Sequence, residues 1–232
     1  NESTDTVWVT VENQAPTISH PNNITYTYSE TGNSISWLIS DISISNTNYI
    51  VYKDSENIDS GTWISGQTIN INCDGLDVGT FNYSIFATDG YGGETSDTVW
   101  VTVENQVPMI TQPINITYSY SETGNSISWV ISDDSVSNPT FTIFRNSQTL
   151  NSGSWIPDEE IVIGCDGLDV GSHNFTIVAN DGYGAETKNT VWVTVENELP
   201  IINHPNDITY THFEIGHSIS WVISDTSTLN TT

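Results

Sequence analysis

The chain has 232 residues, 29 acidic side chains against three basic ones (Lys53, Arg145 and Lys188), and a formal net charge of −26. So few cations exclude a reader of nucleic-acid phosphates, whose affinity comes mostly from Lys and Arg, and argue against docking on an anionic membrane. Eight Trp and ten Tyr supply apolar surface for packed cores and exclude wholesale disorder.

No apolar run reaches the ~18 residues of a membrane span. No signal peptide is visible at Asn1, so any targeting segment is expected outside this sequence. Self-comparison then sets the organisation. Val7–Asn13 reads VWVTVEN and returns at 99–105 and 191–197, an offset of 92 each time. Aligning 14–105 on 106–197 without a gap leaves 55 identities in 92 positions. The predicted domains are 1–13 as the last strand of a preceding repeat, 14–105 and 106–197 as whole repeats, and 198–232 as the start of a further, truncated one.

Within a repeat the apolar positions alternate with period 2, the pattern of half-buried strands. In chain order the predicted strands are 16–20 with 23–28, then 33–40, 48–53, 62–65, 68–73, 80–88 and 97–104. Turn signals separate them at Glu30-Thr31-Gly32, Asp59-Ser60-Gly61, Asp74-Gly75 and Asp89-Gly90-Tyr91-Gly92. Seven short strands in about 90 residues, with no helical period, predict an all-β chain of tandem seven-stranded antiparallel Ig-like sandwiches forming a rod. Parity places Ile35, Trp37, Ile39, Tyr49, Val51, Ile69, Ile71, Cys73, Tyr83, Ile85, Ala87, Val99, Val101 and Val103 inward, with Ile161 among their counterparts in the second copy. It turns Ser34, Ser36, Asn70, Asn72, Thr25 and Thr27 outward on one sheet. On the other it turns out an apolar stripe: Trp8, Trp100 and Trp192, with Tyr52, Phe86, Phe144 and Val178.

Ala87-Thr88-Asp89-Gly90, Val99 to Val103 and Glu104-Asn105-Gln106-Val107-Pro108 resemble the end of a cadherin-like or PKD-like repeat of archaeal and bacterial surface proteins. The resemblance implies a tandem extracellular module. The cadherin ligand motifs L-D-R-E and D-x-N-D-N are absent.

Catalytic candidates are few. None of His20, His173, His204, His212 and His217 recurs in all copies, and no nucleophile–base pair or zinc spacing is visible. Cys73 and Cys165 share parity with core Ile, as buried free thiols do; the alternative is an intermolecular disulfide. Sequons fall in register at Asn23 with Asn115 and at Asn82 with Asn174, all outward, so N-linked glycans are expected there. If the loops gather at the poles of the sandwich, successive repeats bring Asp74, Asp77, Glu104 and Asn105 toward Asp133, Asp134 and Asp181. That oxygen cluster is the calcium alternative; no other cofactor is expected.

The sequence therefore predicts a non-enzymatic structural repeat protein at the extracellular cell surface, in a fibre, stalk or surface layer. Its expected partners are further copies of itself or neighbouring surface proteins. The alternatives are an adhesin spacer, stiffened by calcium in the cadherin manner, and a carbohydrate-binding module.

Overall fold

The computed structural model describes residues 2–225, which divide between two compact units, Asn1–Gln106 and Val107–Thr232. In the first unit the strands are β1 (Thr17–Ile18), β2 (Ile24–Thr27), β3 (Ser34–Ser40), β4 (Asn48–Lys53), β5 (Glu56–Gly61), β6 (Gln67–Asn72), β7 (Gly79–Thr88) and β8 (Glu94–Glu104). They form a three-stranded sheet, β1-β3-β6, and a five-stranded sheet, β2-β8-β7-β4-β5.

The second unit repeats them as β9 (Met109–Ile110), β10 (Ile116–Ser119), β11 (Ser126–Ser132), β12 (Thr140–Arg145), β13 (Gln148–Ser154), β14 (Glu160–Gly164), β15 (Gly171–Asn180) and β16 (Glu186–Glu196). Its sheets have the same orders, β9-β11-β14 and β10-β16-β15-β12-β13.

Alternation builds each core. Inward Ile35, Trp37 and Ile39 on β3 meet Val51, Tyr83, Ile85, Ala87, Val99, Val101 and Val103 from the five-stranded sheet. Ile127, Trp129, Ile131, Ile143, Phe175, Ile177 and Val191 do the same in the second unit. Of the inward residues predicted on these strands, Tyr49 and, in the second unit, Ile161 are half-buried at the core edge, and the others are buried. Their volumes are nearly conserved between copies, as close packing requires.

Two strand assignments differ from the sequence reading. The first predicted strand is split: β1 pairs with β3, and the chain then crosses through His20-Pro21 so that β2 pairs parallel with β8, Ile24 beside Val101 and Tyr26 beside Val103. Thr25 and Thr27 therefore lie on the aromatic sheet, not on the polar one. Burial drives the crossing, because Tyr26 enters the core and its hydroxyl donates to the Cys73 carbonyl, as Tyr118 does to that of Cys165.

The fifth strand is Glu56–Gly61, not 62–65. A two-residue hairpin at Asp54-Ser55, with φ of 47° and 75°, returns the chain early. Such turns match strand twist when both central residues have positive φ. Trp63 is thereby freed to enter the core, its Nε1 donating to the carbonyls of Asn48 and Thr88 at 3.2 and 3.1 Å. Asn146-Ser147 repeats the turn at φ 48° and 68°. Serine there carries the Cβ penalty of the left-handed region, so Ser55→Gly with Ser147→Gly is expected to stabilise each unit by about 1 kcal/mol. Thermal melting would read this as a rise of about 4 °C or more.

The two end segments form little regular structure. Residues 2–13 form no strand, and Val7, Trp8, Val9 and Val11 are exposed. Near the other end, among the described residues, only β17 (Ile201–Ile202) and β18 (Ile223–Ser224) pair, reproducing the β1–β3 contact. A strand whose side chains have no facing sheet gains nothing from burial to offset the entropy of ordering.

Candidate functional site

The outward face of the five-stranded sheet carries the feature that both units share. Trp100 lies on β8 between inward Val99 and Val101, and Asn82 on β7 stands directly opposite it. The parallel register Ile24–Val101 puts Asn23, one residue before β2, on the other side. The Trp100 amide donates to Asn23 Oδ1 at 3.0 Å. Asn23, Trp100 and Asn82 thus form one row across three strands.

In the second unit Asn115, Trp192 and Asn174 form the same row, with the Trp192 amide donating to Asn115 Oδ1 at 3.0 Å. The two indoles are equally exposed, each 46%. No Nδ2 of these four asparagines donates a hydrogen bond among the described residues.

The rest of the predicted stripe is less regular. Phe86 pairs with Ile50 on β4, and Tyr52 with Ser84, which gives unit one a second apolar patch. Four residues of β7 separate it from the tryptophan row, about 13 Å. Unit two replaces Ile50 with Thr142 and Phe86 with Val178, keeping only Phe144 in place of Tyr52. Trp8 stands apart from any sheet. Parity turns these aromatics outward but does not reveal the row, because it allows Thr25 and Thr27 on the opposite sheet.

The carboxylates serve local loops. Asp74 accepts the amides of Gly32 and Asn33 at 2.9 and 2.8 Å, and Asp166 accepts those of Gly124 and Asn125 at 2.8 Å each. These backbone donors hold both carboxyls below the ordinary carboxylate range. Asp89, fully buried, is held low first by the side-chain amide of Asn13 at 2.6 Å and then by the amides of Tyr91 and Gly93. Asp181 repeats the loop bonds to Tyr183, Gly184 and Ala185.

Asp133 accepts the Ser135 amide and hydroxyl, and Asp77 the Val78 amide. Glu104 and Asp134 are exposed. Within each unit the described residues hold no group of three or more His, Cys, Asp or Glu suited to a metal ion.

These bonds carry a pH signature. A carboxyl whose folded pKa lies below its unfolded value of ~4 stabilises the fold fully above that value, and the stabilisation is lost as pH falls through the folded pKa. Asp74→Asn with Asp166→Asn is therefore expected to lower the melting temperature at pH 7. The gap to the parent chain should close as pH drops from 4 toward 2. A gap that stays constant across this range would show that the carboxylates are not the source.

Cys73 and Cys165 are free and fully buried, and burial pushes both thiols up. A disulfide to another chain would first require their strands to unfold. His20 meets Asp97 at 2.7 Å with no nucleophile attached to the pair.

No protein-family model and no curated protein matches the chain. Among solved structures, the titin domains Z1Z2 in complex with telethonin align at TM-score 0.53 and 16% identity, over 82% of this chain and all of that one. Both units are Ig-like sandwiches. Fibronectin(III)-like modules of CbhA from Clostridium thermocellum align at TM-score 0.32 and 21% identity, over 78% of this chain and 94% of theirs. Sidekick-1 immunoglobulin domains 1–5 align at 0.35 and 21%, over 79% and 40%. The titin alignment shows the fold and nothing further.

Proposed function

We propose that this chain is a non-enzymatic run of tandem Ig-like repeats from an exported cell-surface protein, in which near-identical modules build length in a fibre, stalk or surface layer. One observation carries the reading: the repeat extends to exposed positions that folding does not require. Core identity between copies follows from packing. The surface of a soluble domain needs only to stay hydrated, yet Asn23-Trp100-Asn82 recurs as Asn115-Trp192-Asn174 with the same hydrogen bond and the same exposure.

A surface presented once per 92 residues is what an array uses, because every module then offers its surroundings the same exposed chemistry. The cadherin-like or PKD-like assignment rests on residues 87–90 and 99–108. Near-absent Lys and Arg fit an exported chain, leaving few tryptic sites and a negative charge that keeps modules soluble. In this reading Ile50, Tyr52 and Phe86, with Phe144 and Val178, form the contact between copies or with neighbouring surface proteins.

Antibodies raised against the 232-residue chain are expected to label intact cells of the source organism. Labelling only after permeabilisation would overturn the export reading. Sedimentation of the chain at rising concentration should show self-association that Phe86→Ser with Tyr52→Ser weakens. Identical sedimentation of both would remove this patch as the contact.

A further inference from the structure

We propose that the sugars carried by Asn23 and Asn82 pack against the indole of Trp100, and those of Asn115 and Asn174 against Trp192, so that each row is closed by its own glycans. The inference rests on the reading above only in requiring that the chain be exported and meet a sugar transferase.

Two independent observations converge on the tryptophan, and the sequons supply the attachment sites. Asn82 and Asn174 are the direct cross-strand partners of Trp100 and Trp192. Asn23 and Asn115 flank the same residues from the other strand, their Oδ1 held by the tryptophan amide. The sequon hydroxyls follow at Thr25, Ser84, Thr117 and Thr176. Within each row the Oδ1 bond fixes one amide while leaving its Nδ2, the glycosylated atom, without a donor role.

Distances favour the contact. Adjacent strands lie about 4.8 Å apart, and opposed side chains have Cβ atoms about 5 Å apart. A pyranose ring on Nδ2 therefore reaches the indole with no change in the backbone. Its axial C–H bonds form an apolar face, which suits the electron-rich face of an aromatic ring. Each indole is about half exposed, so it has area left to cover.

The attachment itself is a substitution without redox change. The Asn Nδ2 attacks C1 of a lipid-pyrophosphate-linked sugar. The N–C1 bond forms as the bond from C1 to the phosphate oxygen breaks. The lipid pyrophosphate leaves with that electron pair, and the amide proton passes to a base.

Sugars on both sides of a tryptophan fence it from a flat protein surface. The row is then a self-covered surface, and contact between copies falls to the Tyr52–Phe86 patch, which lies farther along the sheet. The weaker repetition of that patch in unit two contrasts with the full repetition of the row.

The test uses the full chain, both from its own cells and from an N-glycosylating secretory host. Glycopeptide mass spectrometry is expected to find sugar at all four asparagines. Site-resolved oxidation should then modify Trp100 several-fold faster in the Thr25→Ala, Ser84→Ala variant, which lacks the sugars of unit one, while Trp192 in the same molecule keeps the slow rate. Enzymatic removal of the sugars from the parent chain should expose both indoles without any substitution. A thermal double-mutant cycle completes the test: the sugars should raise the melting temperature with Trp100 present and lose that increment in Trp100→Thr. Bare asparagines in the native material would overturn the inference while leaving surface labelling of intact cells intact. Occupied sites with unchanged Trp100 oxidation on sugar removal, or an equal increment in Trp100→Thr, would overturn the stacking.

Discussion

Gly90→Ala is expected to lower the stability of the first unit by more than about 3 kcal/mol, enough to leave it largely unfolded if its stability lies near 5 kcal/mol. Gly90 has φ +83°, where a Cβ alone costs roughly 1–2 kcal/mol. The larger part is steric. A Cβ there would overlap the backbone carbonyl oxygen of Ser45, which no side-chain rotation can relieve.

The loop could make room only by moving off residues 45–46, which would break the bond from the Ser45 amide to the Asp89 carbonyl at 2.7 Å. Gly92 provides the control. It too has positive φ, at +97°, but nothing lies within 4 Å of the Cβ position. Gly92→Ala should cost only the conformational share, about 1 kcal/mol. Melting curves of the two variants separate these contributions, and equal losses would refute the close-approach argument. Gly182, which meets Ser137 in the same way, should behave like Gly90 in the second unit.

Trp37→Ala is expected to destabilise the first unit by roughly 3–5 kcal/mol, the usual cost of deleting a large buried aromatic. Trp37 is 0% exposed, and its Nε1 donates to Asp97 at 2.7 Å, so the substitution leaves a cavity and removes a hydrogen bond to the half-buried Asp97 carboxylate. Trp129, buried in the same way and bonded to Asn189 at 3.0 Å, should cost a similar amount in the second unit. Trp221 occupies the third copy of this position and is 60% exposed, so Trp221→Ala should change stability by less than about 0.5 kcal/mol. Calorimetry of the three variants tests whether position in the fold sets the cost. Similar losses at 37 and 221 would contradict the burial argument.

Much of the fold was legible because strand parity is a strict rule. With Val99, Val101 and Val103 facing the core, Trp100 has to face out, and it does. The sequon register was equally plain. What parity could not show was which sheet a short strand joins. Ile24 and Tyr26 alternate correctly for either sheet, and only the crossing at His20-Pro21 puts them beside β8, bringing Asn23 next to Trp100.

The hairpin is illegible in the sequence for a related reason. Asp59-Ser60-Gly61 looks like a turn by composition, whereas Asp54-Ser55 turns through positive φ without a glycine. The bonds of Tyr26 to Cys73 and of Asn13 to Asp89 join residues 47 and 76 apart, a separation at which local pattern carries no information.

The sequence by itself determined the 92-residue period, the all-β class, the inward faces and the pairing of sequons with repeats, since each follows from local alternation or identity. Tertiary structure decided whether a given segment becomes a strand at all. VWVTVEN occurs three times with the same propensities, and at 99–104 and 191–196 it lies in β8 and β16 with its valines buried. At 7–13 it forms no strand, and Trp8 is 90% exposed. The difference is the neighbours: β8 has β7 and β2 on either side and a facing sheet to bury Val99, Val101 and Val103, whereas residues 7–13 have neither. Strand formation depends on burial and cross-strand pairing more than on intrinsic preference, so one heptapeptide has two outcomes in a single chain.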